Sequence, residues 1–259
     1  VKVDYNKTLV QNRLENRGYF RASVAADTSI GRKRAKLTLN ATTGPQYRIN
    51  TIAFTTDSSD LGKAVNATSA NSFLRAGDAY DLEIIRKERE RIDTRLKEKG
   101  FYYFSPDYLI VQVDSTNNEH KVDLVVNVKP TTPYQAQQIY TINDIYIYSN
   151  FDVAEDSVSI EEGDKHRDFY VIDSADTFKP QVFERTMFFN KGDVYNRTDH
   201  NMSLNRLMSL GTFKFVKNQF VETPRGGDNQ LDTYYYLTPY AKKSVRAELT
   251  GRTTSANFT

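Results

Sequence analysis

The side chains with the most chemistry to offer stand far apart. Histidines occupy positions 120, 166 and 200, and none lies four residues from another, so no pair shares a helix face as a zinc site requires. The acidic stretch Asp152–Asp168 lacks the Asp-x-Asp/Asn-x-Asp/Asn-Gly spacing of a calcium loop, and reads as a solvated loop. The sequence has no Gly-x-Ser-x-Gly, no P-loop and no dinucleotide fingerprint. It has no cysteine, which excludes disulfides and thiolate metal sites. The expectation is a protein that is not an enzyme, with no catalytic residue, no metal and no cofactor. With 35 basic and 33 acidic side chains, the net charge of +2 is too balanced for a dedicated binder of nucleic acid or anionic membrane. No run of 18 apolar residues forms a membrane-spanning helix.

What the chain repeats is punctuation. Arg13-Leu14-Glu15-Asn16-Arg17-Gly18-Tyr19-Phe20, Arg95-Leu96-Lys97-Glu98-Lys99-Gly100-Phe101-Tyr102 and Arg206-Leu207-Met208-Ser209-Leu210-Gly211-Thr212-Phe213 each pass from helix formers through a glycine to aromatics. Gly18, Gly100 and Gly211 are expected as structural helix C-caps, because the position after a helix favours a left-handed backbone. Upstream of the second and third copies stand Gly77-Asp78-Ala79-Tyr80 and Gly192-Asp193-Val194-Tyr195. Gly77, Asp78, Gly192 and Asp193 are read as structural turns. Before those come Tyr47-Arg48-Ile49-Asn50-Thr51-Ile52 and Tyr140-Thr141-Ile142-Asn143-Asp144-Ile145, both Tyr-x-Ile-Asn-x-Ile. Repetition in this order predicts a tandem array of one small unit. The first copy has only the later half, so the chain reads as cut from a longer protein.

The elements follow from periodicity. Residues 6–17 predict a helix with Leu9, Val10 and Leu14 on one side, followed by a hairpin over 19–27 and 35–41. The second unit predicts a strand at 47–55, a first helix at 60–70 and a second from the N-cap Asp81 to Lys99. Leu82, Ile85, Ile92 and Leu96 make the apolar stripe of that second helix, with Glu83/Lys87 and Asp93/Lys97 pairs on its wet face. Strands with Leu109, Val111 and Val113, then Val122, Leu124, Val126 and Val128, complete the unit. The third unit repeats the order. It has a strand at 142–148, an acidic irregular insert at 151–179, helices at 181–189 and 196–210, and a hairpin over 213–221 and 233–237 around residues 224–227. An insert of that length is often functional. Residues 244–250 alternate Val245, Ala247 and Leu249 with Arg246, Glu248 and Thr250, a run that by itself reads as a short soluble strand or an unstructured end sooner than as the first strand of a membrane barrel. Of Tyr234, Tyr235 and Tyr236, alternate residues should face a core. Arg13, Arg95 and Arg206 suit helix ends. The linker 131–138 is expected to bend.

Units ordered strand–helix–helix–strand–strand, with Gly-Asp-x-Tyr before the second helix and Leu-x-x-x-Gly before the hairpin, resemble POTRA domains of the BamA/TamA family. The third unit's Phe188-Phe189-Asn190-Lys191-Gly192-Asp193-Val194-Tyr195 and Tyr236-Leu237-Thr238-Pro239 are most similar to the last POTRA of a TamA-like protein. The resemblance implies an α+β class with three-stranded mixed sheets carrying two helices on one face. It divides the chain into a partial POTRA at 1–44, a complete one at 46–133, a final one at 138–240 and the start of an outer-membrane β-barrel at 241–259. It also implies a scaffold at the periplasmic face of the bacterial outer membrane. Its expected partners are unfolded outer-membrane proteins, periplasmic or inner-membrane accessory proteins and its own C-terminal barrel, with no nucleic acid. Clients would bind by adding a strand to an open sheet edge. The edges expected are Tyr108, Leu109, Ile110, Val111, Gln112 and Val113 in unit two and Phe213, Lys214, Phe215 and Val216 in unit three. Unit two is preferred, because its edge carries no protective charge. The alternative is a two-partner secretion transporter recognising one exported protein.

Overall fold

The computed structural model describes residues 3–116, 119–151, 163–173, 176–223 and 228–240. Three separate sheets succeed one another along these residues. The first is the antiparallel hairpin of β1 (Ser23–Ile30) and β2 (Ala35–Thr42), preceded by helix α1 (Val3–Glu15). Helix α1 buries no residue fully, and Leu9 is left 54% exposed. Two strands offer too narrow a face to cover the apolar side expected there.

The second sheet has the order β3-β5-β4. Strand β3 (Arg48–Phe54) runs parallel to β5 (Lys121–Val128), and β4 (Leu109–Asp114) runs antiparallel to it. Helices α2 (Asp60–Asn66) and α3 (Leu82–Lys97) supply Leu61, Val65, Ile85, Ile92 and Leu96 to a core with Val122, Leu124 and Val126. Period-two burial along β5 and the Asp81 cap, which accepts the Glu83 N–H, follow the sequence expectation.

The third sheet is wider, with order β7-β8-β6-β10-β9. Strands β6 (Thr141–Tyr148), β10 (Gln230–Pro239) and β9 (Phe213–Glu222) repeat the arrangement of the second sheet. Strands β7 (Asp164–His166) and β8 (Phe169–Ile172) come from the insert expected to be irregular. Phe169 and Val171 face inward, and β8 pairs parallel with residues 145–148 of β6. A four-residue period-two run flanked by acids carries little signal, yet it seals one sheet edge. The acidic residues 152–162 and the turn 224–227 lie outside the described residues.

Helix α4 (Gln181–Glu184) is shorter than the expected 181–189, whereas α5 (Arg197–Ser209) matches its expected span closely. The Thr186 hydroxyl donates back to the Phe183 carbonyl, and the Phe188 N–H donates to Ser203 Oγ on α5, which draws the chain out of the helix. Between the second and third sheets, the segment expected to bend contains a 3-10 turn at Tyr134–Gln137 that buries Ala136.

The asparagine of each Tyr-x-Ile-Asn-x-Ile motif sits at a β-bulge. Asn50 donates to Asp123 at 2.8 Å and Asn143 donates to Asp232 at 2.7 Å, where each parallel pairing slips by one residue. The motif is therefore a clamp on an irregular parallel pair.

Candidate functional site: open edges and repeated joints

Strand β4 is the outermost strand of its sheet. The Lys129 N–H donates to the Tyr108 carbonyl, so 108 and 129 are a hydrogen-bonded antiparallel pair. By alternation, residues 110, 112 and 114 bond to β5, while Leu109, Val111 and Val113 aim their N–H and C=O groups outward. Ile110 and Val113 are 39% and 38% exposed beside this edge. Gln112 lies between Val111 and Val113, with its amide near Asn127. Tyr108 lies in the 3-10 turn Pro106–Tyr108 ahead of the strand, because Ser105 caps a helical turn led by proline.

Strand β9 ends the third sheet. The Thr223 N–H donates to the Gln230 carbonyl, which by the same alternation turns the backbone groups of Val216, Asn218 and Phe220 outward. Phe213 is buried against Phe178 and Phe183, so it anchors the strand to the core. Val216 is partly buried on that core. Lys214 lies 5.2 Å from the ring of Phe215, which is 54% exposed. On the far side of this sheet β8 covers β6, and the outermost β7 is three residues long. In the second sheet the outer side of β3 stays open beyond its first residues among the described residues.

Those first residues are where the motifs meet. The Gly77 N–H donates to the Ile49 carbonyl (2.7 Å), the Ile49 N–H to the Asp78 carbonyl (2.8 Å), and the Tyr80 N–H to the Tyr47 carbonyl (2.9 Å). Gly192 to Ile142, Ile142 to Asp193 and Tyr195 to Tyr140 repeat these bonds at 2.7, 2.8 and 2.9 Å. Gly77 and Gly192 take φ of +88° and +90° in these turns. Asp193 also accepts the Asn190 N–H through its carboxylate.

Each Tyr–Tyr clasp then receives the glycine of the preceding unit. The Tyr47 N–H donates to the Gly18 carbonyl and the Leu82 N–H to the Asn16 carbonyl, at 2.9 and 2.8 Å. The Phe20 ring packs 4.9 Å from both Tyr47 and Tyr80, tilted against the first and edge-on to the second. At the second joint the Tyr140 N–H donates to the Gly100 carbonyl at 2.9 Å, and Asn196 Nδ2 donates to the Glu98 carbonyl. Tyr102 packs on Tyr195, and Tyr103 packs on Tyr140. The Tyr140 hydroxyl donates to Glu222, and burial, then that carboxylate, raises its pKa. The expectation that Gly18 and Gly100 act only as caps is thus incomplete, because both are docking points. Sequence could have revealed this, since Gly18 and Gly100 are each followed by a Tyr-x-Ile motif, at Tyr47 and Tyr140, before the next helix.

Charge reinforces the second joint. Asp93 is nearly buried, between Lys97 at 2.9 Å and Arg197 of α5 at 3.2 Å. The Asp93/Lys97 pair expected on a wet face is buried because α5 covers it. Glu83 pairs with Arg86 rather than Lys87. Arg13 and Arg95 line open crevices of about 440 and 640 Å³ at the first and second joints. Arg197→Ala is expected to lower stability by about 1 kcal/mol or less, because Arg197 is partly solvated and Asp93 keeps Lys97. It should speed hydrogen exchange at the Tyr140 amide, measurable by NMR. Unchanged exchange would mean that the rings and the remaining hydrogen bonds hold the joint without this ion pair.

Among the described residues no group of three or more His, Cys, Asp or Glu side chains could hold a metal ion, and no helix is long and apolar enough to cross a membrane. The candidate site is the pair of backbone edges that β4 and β9 leave open among the described residues, carried by mixed α+β units.

These mixed α+β units share the POTRA fold. Residues 48–131 match the POTRA family, described as a surface antigen variable number repeat, and the chain carries a POTRA domain there. The fold is similar to BamA from Haemophilus ducreyi lacking POTRA domains 1–3, at 15% identity and a TM-score of 0.50, over 75% of this chain and 30% of that one. POTRA3–5 of Haemophilus influenzae BamA matches at 16% identity and a TM-score of 0.49, over 92% of this chain and 80% of that one. A search of the curated proteins finds no match.

Proposed function

We propose that this chain is a periplasmic scaffold of an outer-membrane protein assembly or translocation factor, and that it works by binding. Extended, β-prone segments of unfolded outer-membrane proteins add as a strand to β4, with β9 as a second edge. The carrying observation is the outward row of backbone groups at Leu109, Val111 and Val113, on a strand free of charge from 109 to 113. Backbone hydrogen bonds give affinity with little sequence preference, which suits many clients. The three sheets support a division at 1–44, 46–133 and 138–240, and the third unit's motifs support a last POTRA of TamA-like type. The barrel strand proposed from residues 241–259 lies outside the described residues.

The test is an NMR titration of the 259-residue chain with a peptide from the last strand of an outer-membrane barrel. Shifts confined to residues 108–114 or 213–222 would support the reading, and no shifts at millimolar peptide would overturn it. Val111→Pro should weaken binding about tenfold, because it removes an outward N–H and disturbs its neighbours. The domain should stay folded, since that N–H bonds nothing in the sheet. Unchanged affinity in a folded variant would exclude β4.

A further inference from the structure

The helix that opens the second joint carries a titratable group that its counterpart in the repeat lacks. Helices α3 and α5 align from their caps, Asp81 with Asn196. On that alignment Glu88 coincides with Ser203, and each accepts the N–H of a coinciding phenylalanine, Phe73 and Phe188. Ile85, a core residue 5% exposed, then coincides with His200. The third unit thus places an imidazole where the second buries a hydrocarbon.

What surrounds this ring ties it to the joint. His200 Nδ1 lies 3.3 Å from the Tyr195 hydroxyl, and the Phe220 ring packs edge-on 4.8 Å away. Tyr102, two residues after Gly100, packs on both, at 4.9 Å from Tyr195 and 5.3 Å from Phe220. The Tyr195 N–H donates to the Tyr140 carbonyl, and the Tyr140 N–H donates to the Gly100 carbonyl. His200 Nε2 is buried with no hydrogen-bond partner among the described residues. Asn218 of β9 stands beside the ring, but its amide donates to the Tyr234 carbonyl.

We propose that His200 makes the second joint a pH-sensitive hinge, closed while the imidazole is neutral and loosened once it takes a proton. The charged ring is a donor at both nitrogens. A proton landing on Nδ1 leaves the Tyr195 hydroxyl able only to accept from it. One landing on Nε2 leaves a charged N–H buried without an acceptor, which is costly. Parting Tyr102 from Tyr195 and Phe220 uncovers the two rings that enclose the imidazole, so the charged form favours the open joint. The hinge stands apart from client binding, and either can fail without the other.

Burial, then the Arg197 guanidinium, hold the imidazole below its usual value of 6.5, and Asn218 offsets them only in part. The open joint therefore binds the proton more readily than the closed one, and the joint weakens as pH falls below 6.5. Asp199 acts with the opposite sign. Burial, then Glu98 and Asp193, raise it, so its protonation favours the closed form. Across the joint Asp93 is already paired with Lys97 and Arg197. On β9 the residues beside the ring, 218–220, carry no charge.

Hydrogen exchange in the 259-residue chain tests the hinge, read by NMR at about pH 7.5 and about pH 5.5 and corrected for intrinsic rates. The Tyr47 amide of the first joint is the reference. The His120 ring lies 5.4 Å from Tyr47, so every chain compared carries His120→Gln. On going to the lower pH, protection at Tyr140 should fall about tenfold relative to Tyr47, the change that one proton allows over one pH unit below 6.5. With His200→Ile added, which restores the residue found at Ile85, the ratio should hold within about twofold. A constant ratio with His200 present would overturn the proposal, and so would a fall that survives His200→Ile. A direct titration needs no variant at position 200. The His200 ring resonances should titrate below pH 6.5, and titration at or above that value would overturn the proposal.

Discussion

Glu88→Ala is expected to destabilise the second sheet and its helices by about 3–5 kcal/mol, the cost of leaving a buried ion pair half-made. Glu88 is fully buried on α3. It accepts two bonds from Arg91, at 2.7 and 2.9 Å, the Ser72 hydroxyl at 2.8 Å and the Phe73 N–H at 2.9 Å. Arg91 in turn donates to the Thr68 carbonyl. One carboxylate thus ties the connection after α2 to α3, and so sets the two helices over the sheet. Urea unfolding of the variant measures the loss. A loss below about 1 kcal/mol would show that solvent replaces the network.

The same group makes a pH prediction. Burial pushes the Glu88 carboxyl up, but the Arg91, Phe73 and Ser72 bonds together outweigh it and hold it below the usual glutamate value of 4.5. The unfolded chain therefore binds this proton more readily than the folded one. Its contribution to stability is present above pH 4.5 and is lost as pH falls through the folded value. Glu88→Gln should flatten that acid limb while keeping the side chain's volume.

Gly100→Val is expected to cost about 3 kcal/mol and to open the second joint. Its φ is +94°, a conformation that raises the energy of a residue with a Cβ by about 1–2 kcal/mol. The new Cβ would also stand 2.7 Å from Ile139 Cγ2 and from Val194 Cγ1, and overpacking of that kind adds about 1–3 kcal/mol. Gly211→Ala has only the backbone term, since nothing lies within 4 Å among the described residues. It should cost about 1 kcal/mol. Calorimetry distinguishes the two sites. Gly100→Val should also expose the Tyr140 amide to exchange, whereas equal losses at both glycines would mean that docking contributes nothing at Gly100.

Much of this was legible in one dimension. The Leu82–Lys97 stripe, the Asp81 cap and the alternation of Val122, Leu124 and Val126 are local signals, set by periods of 3.6 and 2 residues. Tyr235 faces the core while Tyr234 and Tyr236 face away, as alternation requires. Local pattern failed where a distant partner decided the outcome. Strand β8 is a strand because β6 offers it an edge. Helix α4 stops early because Ser203 captures the Phe188 N–H. Asp93 is buried because α5 arrives above it.

By itself, then, the sequence determined the repeat, the order of its elements, the glycines that end helices and the uncharged run from Leu109 to Val113. Each of these depends on residues close together in the chain. Only the tertiary structure decided that Gly-Asp-x-Tyr and Tyr-x-Ile-Asn-x-Ile clasp each other, that this clasp receives the previous unit's glycine, and that among the described residues the insert closes one edge of the third sheet while β9 stays open. Those are pairings between backbone groups, and every residue but proline carries the same N–H and C=O. Composition cannot say which of them meet, because that choice is made by the packing that brings distant strands side by side.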